Sequence, residues 1–326
     1  MPSKKKSQQR REDRRNQAKQ ARDAKRHAAQ QAKRRGCAHD PPLMVLLAPL
    51  SATLADCLAL RKLMAGEHAG EAAPYDLLAP LTYVDTKHKR RITAAIGNPE
   101  DLQTLLELAQ LADVLVFVVS PHLPMTAHSE LAVACIQAQG VPTVCHVITG
   151  LDAVPPKRRN DTKKELTKAA QAAFPDSRVQ AISTPAEAEN FQWGLTTIKQ
   201  RPVRWRDARP HLLADSVDLQ PQTPELGTLT VTGYLRGRDL DANRLVYLPG
   251  LGAFQLSLVT APADPHPVSA AANGPVAPAT EEVLAQPDPE RLESLQTEVP
   301  IDPLAAEQTW PTGKKKIKKK KKNKKK

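Results

Sequence analysis

The residues best placed to do chemistry follow three apolar, strand-like runs: Leu50-Ser51-Ala52-Thr53 after LMVLLAP, Thr149-Gly150-Leu151-Asp152 after VPTVCHVI, and Ser183-Thr184 after VQAI. Short polar loops after strands are where α/β proteins hold nucleotides. A phosphate-binding loop needs glycines so that successive N–H groups can point at the phosphates, a Lys for the β and γ charges, and a Ser or Thr for Mg²⁺. Between Pro49 and Cys57 there is no Gly and no Lys. Ser51 and Thr53 are read instead as caps of a helix from about Leu54 to Met64. A loop sensing a γ-phosphate needs Asp-x-x-Gly, but the chain reads Thr93-Ala94-Ala95-Ile96-Gly97-Asn98, with no Asp three residues before Gly97. A guanine-reading loop needs Asn-Lys-x-Asp, and Thr149-Gly150-Leu151-Asp152 keeps only the Asp. Thr149, Asp152 and Ser183 therefore form a degenerate nucleotide site, in which Asp152 either retains a base contact or serves as a turn or cap residue.

Other catalytic arrangements are absent from the sequence. His122 and His128 stand six residues apart with no third ligand nearby, and neither G-x-S-x-G nor H-E-x-x-H occurs. The cysteines Cys37, Cys57, Cys135 and Cys145 form no C-x-x-C pair, so they are read as reduced thiols, with Cys135 and Cys145 as small core residues. No metal site is expected. No cofactor is expected either: GTP is the one candidate the loop order suggests, and the missing glycines and lysine argue against it.

Charge is distributed very unevenly. Residues 1 to 35 carry 14 Lys and Arg against 3 acids, and the last 13 residues carry 11 Lys. Of 47 basic and 35 acidic residues, that leaves 22 against 32 between the tails, a net −10. The overall +12 thus resides in the two termini. Such tails neutralise phosphates and release counterions, giving salt-dependent affinity for nucleic acid. The expected RNA contacts of the N-terminal arm are Lys4, Lys5, Lys6, Arg10, Arg11, Arg14, Arg15, Lys19, Arg22, Lys25, Arg26, Lys33, Arg34 and Arg35. Lys4-Lys5-Lys6 and Lys33-Arg34-Arg35 also read as nuclear-import signals. No signal-peptide core and no apolar run of membrane-spanning length occurs, so no membrane partner is expected.

The elements that must position these residues alternate between apolar runs and helical segments from Leu43 to about Gln200, the pattern of βα units around a mainly parallel sheet. Strands are expected at 44–48, 77–84, 91–96, 114–119, 143–148 and 179–182, and helices at 53–64, 99–111, 126–139, 156–173 and 185–199. Pro99 is expected at the first helical position of the second helix. Past Pro202 the residues Gly227 to Gly237, Arg244 to Leu248 and Phe254 to Val259 alternate like antiparallel strands. The fold class is α/β: a G domain of the P-loop GTPase type at 40–203, then a small antiparallel β-barrel with its linker at 204–262. A basic helical or disordered arm precedes them at 1–39, and a disordered, Lys-rich tail comes after them at 263–326, relieved by a short helix near Pro289 to Leu295.

The run ELAQLADVLVFVVSP, the TGLD loop, the linker Arg204 to Asp215 and the segment GTLTVTGYLRGRDLDANRLVYLPGLGAFQLSLVTAPADPHP together resemble the eukaryotic family of pre-rRNA-processing factors named for twenty-S rRNA accumulation. The resemblance covers roughly residues 40 to 312. It implies a degenerate translational-GTPase-like body and a non-catalytic factor in maturation of the 40S subunit, supporting 18S rRNA processing. It further implies pre-rRNA, pre-40S particles, ribosomal proteins and other assembly factors as partners. The protein would act as a monomer within the particle, in nucleus and nucleolus and with late pre-40S in the cytoplasm. The family continues past a motif like Ala306 to Thr312 into further domains, whereas this chain turns to GKKKIKKKKKNKKK, so a truncated or shortened form is expected.

Two other readings remain open on the residues alone. A divergent GTP-binding protein or GTPase of ribosome assembly would use Asp152 for guanine and draw phosphate contacts from Lys87, Lys89, Arg90 or Arg91. A general polyanion-binding or nuclear-shuttling protein would use the tails without any particular RNA, its body recognising another protein.

Overall fold

The computed structural model describes residues 15–17, 19–22, 41–66, 78–85, 87–88, 90–201, 203–223, 226–267 and 282–296. They fall into two compact units: one takes in the chain up to Leu240 together with Asp264–Ala277, the other Asp241–Ala263 and the chain from Pro278.

The first unit is built on strand β1 (Leu43–Ser51), whose nine residues are all buried. β1 lies between two parallel neighbours, β3 (Arg90–Ile96) and β4 (Val114–Val119). The sheet continues through β5 (Thr143–Ile148) and β6 (Arg178–Ala181) on one side and closes with antiparallel β2 (Leu81–Asp85) on the other, in the order β2-β3-β1-β4-β5-β6. Both faces of β1 need cover, and its alternate side chains divide the core in two. Leu43, Val45 and Leu47 pack with Cys57, Leu60 and Met64 of α1 (Leu54–Ala65) and with Ala188, Phe191 and Leu195 of α5 (Pro185–Thr197). Met44, Leu46 and Ala48 pack with Leu105 and Ala109 of α2 (Leu102–Leu111) and with Ala132, Val133 and Ile136 of α3 (Ala127–Gln139). Each fully buried Leu or Ile is worth roughly 1.5–3 kcal/mol relative to exposure. The remaining helix, α4 (Pro156–Ala173), has no buried residue.

Helix α2 starts three residues later than the Pro99 signal suggests. Asp101 is its N-cap and accepts from the Thr104 N–H at 3.2 Å, while Asn98 takes the Glu100 N–H into a turn. An aspartate able to cap outcompetes a proline two residues earlier.

After the short helix α6 (Arg204–Asp207), β7 (His211–Pro221) and β8 (Gly227–Arg236) form a long antiparallel ribbon. The first half of β7 reads as linker in the sequence, because HLLAD lacks strict alternation. The ribbon is fastened to the sheet by Asp113. Its carboxylate accepts from the Met44 N–H at 2.9 Å and from Arg236 at 2.9 Å, and lies 3.6 Å from Arg206. Arg236 also donates to the carbonyls of Pro42 and Leu111, and Arg206 to that of Ala112 at 2.7 Å. A second fastening joins buried Arg91 to Asp264 at 2.5 Å, with Tyr234 donating to the other oxygen of Asp264 at 2.6 Å. The Arg91 guanidinium sits 5.0 Å from the Tyr234 ring centroid.

The second unit contains β9 (Val246–Leu248) paired with β10 (Gly252–Phe254), and β11 (Val259–Ala261) paired with β12 (Glu282–Ala285). Asn243 and Glu293 bind it together: the Glu293 N–H donates to the Asn243 carbonyl at 2.9 Å, and the Asp288 N–H donates to the Asn243 side chain at 2.7 Å.

Two expectations give way to the structure. The strands after Arg204 form three two-stranded sheets, with no closed barrel among the described residues, because β9 to β12 are only three or four residues long and cannot each find two neighbours. The segment 263–326 is not uniformly disordered either. Asp264 is tied down by Arg91 and Tyr234, and β12 pairs with β11. In place of the expected helix at Pro289–Leu295 there is a turn at 289–291 followed by irregular chain. The Lys-rich end and most of the arm lie outside the described residues.

Asp113→Ala is expected to destabilise the protein by about 3 kcal/mol, since it strands two largely buried arginines. Its effect in urea melts should be strongly non-additive with Arg236→Ala, and full additivity would show that the carboxylate does not couple to that guanidinium. His146, 1% exposed and packed 5.4 Å from Phe117 and 5.9 Å from Phe174 between ring centroids, has its pKa pushed by burial down to about 4. The unfolded chain then binds one more proton than the native state between the ordinary histidine value and about 4, so stability is full above about pH 6.5 and falls as pH drops through that window. Between pH 7.5 and 5 the loss should be about 2 kcal/mol and should vanish in His146→Leu. A parallel pH dependence in the two proteins would contradict it.

Candidate functional site

In doubly wound folds the ligand crevice lies beyond the carboxyl ends of the parallel strands, and in this sheet that position falls at the edge beside the end of β1. Four loops meet this edge: 52–53 after β1, 97–101 after β3, 120–126 after β4 and 149–155 after β5. Ser183-Thr184, after β6, completes it. Thr149, Asp152 and Ser183 are thus brought to one edge, as their positions after strands require.

The first loop has almost no length. Strand β1 continues through Pro49 and Leu50 to Ser51, and only Ala52 and Thr53 separate it from α1. A phosphate-binding motif spans eight residues. The extension is held by β4: the Ser120 N–H donates to the Ser51 carbonyl at 3.1 Å and to Ser51 Oγ at 3.3 Å. Pro49 and Ser51 bracket a shift in register with β4. Of the two residues read as caps, Thr53 caps α1 and Ser51 belongs to the strand.

The N-terminus of α1 carries a capping box. Thr53 Oγ1 accepts from the Asp56 N–H at 3.2 Å, and Asp56 Oδ2 accepts from the Thr53 N–H at 2.8 Å and from Thr53 Oγ1 at 2.8 Å. A helix N-terminus attracts phosphate because its N–H groups and dipole are unanswered. Here a carboxylate answers them.

The same arrangement recurs at α5. Glu187 Oε2 accepts from the Ser183 N–H at 2.8 Å and the Thr184 N–H at 3.0 Å, and Thr184 caps the helix in return. The Ser183 bond, with those from Thr184, holds the Glu187 carboxyl below the usual glutamate range. Ser183 therefore spends its amide on the protein's own acid. Neither Asp56 nor Glu187 stands out among the candidate residues of the sequence, although Thr53-x-x-Asp56 and Thr184-x-x-Glu187 both carry the capping spacing.

After β3, Gly97 donates its N–H to the Leu47 carbonyl at 2.9 Å, and a Cβ there would collide with the Leu105 side chain. That glycine serves packing of α2 against the sheet. After β5, Gly150 takes a left-handed conformation at φ 70° that opens a single 3₁₀ turn, Leu151–Ala153. Its carbonyl accepts from His122 Nε2 at 3.1 Å. Asp152 is exposed, and its main-chain carbonyl accepts from Arg159 at 2.6 Å. Thr149 Oγ1 is buried without a hydrogen-bond partner.

The cations considered for phosphate contact are elsewhere. Arg90 and Arg91 begin β3, at the edge of the sheet opposite the crevice, because β3 runs parallel to β1. Arg91 pairs with Asp264, Arg90 donates to the Thr196 carbonyl at 3.2 Å, and Lys87 reaches Glu189 at 2.5 Å. Lys89 lies outside the described residues. Of the N-terminal arm, Arg15, Lys19 and Arg22 are helical and exposed, spaced to share one helix face. Lys4, Lys5, Lys6, Arg10, Arg11, Arg14, Lys25, Arg26, Lys33, Arg34 and Arg35 lie outside the described residues. Among the described residues no group of His, Cys, Asp or Glu is placed to hold a metal ion, and no helix is long and apolar enough to cross a membrane.

Comparison with known proteins matches residues 44–197 to the Tsr1, G-like domain and residues 199–265 to the AARP2CN (NUC121) domain. The pre-rRNA-processing protein TSR1 homolog of Mus musculus is 34% identical over 92% of this chain, and that of Homo sapiens 33% identical over the same share. The homolog of Xenopus laevis is 36% identical over 71% of it. The chain spans 40% of the length of the mouse and human relatives and 31% of the Xenopus one. Among solved structures, the bacterial selenocysteine-specific elongation factor EF-Sec superposes at a TM-score of 0.47 and 13% identity, covering 65% of this chain and 38% of its own. With the G-like and AARP2CN domains in tandem and these relatives alongside, the chain belongs to the TSR1 family.

Proposed function

We propose that this protein is a ribosome-biogenesis factor in pre-rRNA processing, acting on precursors of the small subunit without catalysing a reaction. The observation that carries the reading is the Tsr1, G-like domain over residues 44–197 followed by the AARP2CN domain over 199–265, in a chain aligned over 92% of its length with a pre-rRNA-processing relative. The non-catalytic part is supported by the crevice. A nucleotide there would meet Asp56 and Glu187 where it needs N–H donors, and a two-residue loop where its phosphates need eight. No GTP requirement follows from such a site, and Asp152 acts as a turn residue anchoring α4.

The basic arm supplies the affinity for RNA, with Arg15, Lys19 and Arg22 among its contacts. The body docks on the particle beside ribosomal proteins and other assembly factors. Import into nucleus and nucleolus precedes that step, and late pre-40S particles carry the protein into the cytoplasm.

Ultraviolet crosslinking in cells with sequencing of the bound RNA tests the assembly role. Enrichment of 18S precursor is expected, and crosslinks spread evenly over unrelated RNAs would overturn it. Titration with labelled GTP at micromolar protein is expected to show no saturable binding. Saturation would return the crevice to nucleotide chemistry.

A further inference from the structure

Helix α4 is a basic element on an otherwise acidic body. Its 18 residues, PKRRNDTKKELTKAAQAA, carry six Lys and Arg against two acids and contribute no buried side chain. Counted without it, the chain between the two tails has 16 basic against 30 acidic residues. At 100° per residue Lys157, Lys164 and Lys168 fall within about 20° of one line along the helix. They project from the side opposite the half-buried stripe of Arg159, Thr162, Leu166 and Ala170. The line is about 16 Å long at 1.5 Å per residue.

The side chains lining the surface around Lys164 and Lys168 are polar apart from Ala172. Asn160, Thr167 and Gln171 share one open groove with Lys163, Lys164 and Lys168. Asp161 approaches Lys164 only at 4.0 Å, with both side chains more than 70% exposed. A pair so exposed and so long does little to neutralise the lysine. The helix is also held in place. Arg159 donates to the Asp152 carbonyl at 2.6 Å and the Val154 carbonyl at 2.9 Å, clamping the first turn of α4 to the TGLD turn.

We infer that the outer face of α4 is a second RNA-binding surface, taking the phosphate backbone of double-helical RNA. The chemistry of the face selects that occupant. It has no aromatic side chain on which an unpaired base could stack, which single-strand binders require. It has no large apolar anchor for a protein hot spot or a lipid surface. It offers lysine charges and the amide donors of Asn160 and Gln171 along a rigid rod, which suits a backbone read by shape. The identity of the RNA as pre-rRNA rests on the function proposed above; the affinity for duplex does not.

The test compares full-length wild type with K157Q/K164Q/K168Q and with R15Q/K19Q/R22Q, by fluorescence anisotropy on a labelled RNA duplex of about 20 base pairs and on a single-stranded oligouridine. Salt is varied from about 50 to 200 mM. The α4 variant should bind the duplex on the order of tenfold more weakly, with a salt slope shallower by about 2–3. K157R/K164R/K168R should bind like wild type, and thermal melts of all variants should coincide because the residues are exposed. An α4 variant with wild-type affinity and slope on duplex overturns the inference, and so does a loss seen only on the single strand. Either of those outcomes leaves the assembly role intact if 18S precursor still crosslinks in cells. Diffuse crosslinking together with the expected duplex result would sink the assembly role and keep the helix as a duplex-binding surface.

Discussion

The constraint on which the first unit depends is the enclosure of β1. Its neighbours β3 and β4 take its hydrogen bonds on both edges, and helices cover both its faces, so its nine side chains are all removed from water. Such a strand must be apolar on both faces, as LMVLLAP is. It also fixes where everything else begins. The position of α1 follows from the two residues left after Ser51, and the position of α2 follows from Gly97 lying against Leu46 and Leu105. The shortness of the loop after β1 is thus a property of the strand itself. Residues that would arch around a nucleotide are drawn into pairing with β4, and reopening them would require breaking the Ser51 and Ser120 bonds.

The same sheet organises the chain beyond the G-like domain. Asp113 sits in the turn between α2 and β4, where its carboxylate meets the main chain of β1 and the guanidinium groups of Arg206 and Arg236. Those arginines come from the short helix α6 and the end of β8, both within the AARP2CN match. The boundary between family domains therefore does not coincide with a break in packing. The β7–β8 ribbon belongs to the same compact unit as the sheet, which divides from the rest only after Leu240. Arg91 extends this principle by returning Asp264 to β3.

Most of the sheet was legible because buried parallel strands are long apolar runs and the helices between them carry caps. Thr126 and Thr184 cap α3 and α5 close to where the pattern places them. Alternation read the short strands of the second unit as members of a barrel, since period two reports a pleated ribbon but says nothing about which neighbours it finds. β12 was missed because four residues in a proline-rich stretch carry too little pattern, and its partner β11 ends at Ala261, well back along the chain. At the site, the missing glycines and lysine were plain in the sequence. The roles of Asp56 and Glu187 were hidden by treating each polar residue singly, although their spacing from Thr53 and Thr184 is the capping signature. Asp113 carried no local signal, because its partners are 69 and 123 residues distant.

A G domain normally works by having two arrangements that a γ-phosphate distinguishes, and a ligand shifts such an equilibrium only as far as its contacts differ between the states. In this protein the elements after β3 and β6 have private partners. Gly97 bonds to Leu47, Asp101 caps α2, and Glu187 holds the amides of Ser183 and Thr184. The amides of Gly97, Ser183 and Thr184 are thus engaged within the protein itself. On the non-catalytic reading proposed above, nucleotide-driven motion of these loops is not required. On the readings proposed above, recognition falls to charge on the arm and on the outer face of α4, while the acids Asp56 and Glu187 occupy the first turns of α1 and α5. A rigid acidic core with basic attachments is suited to occupying a site on an RNA particle by shape and salt-dependent contact rather than by a cycle of nucleotide states.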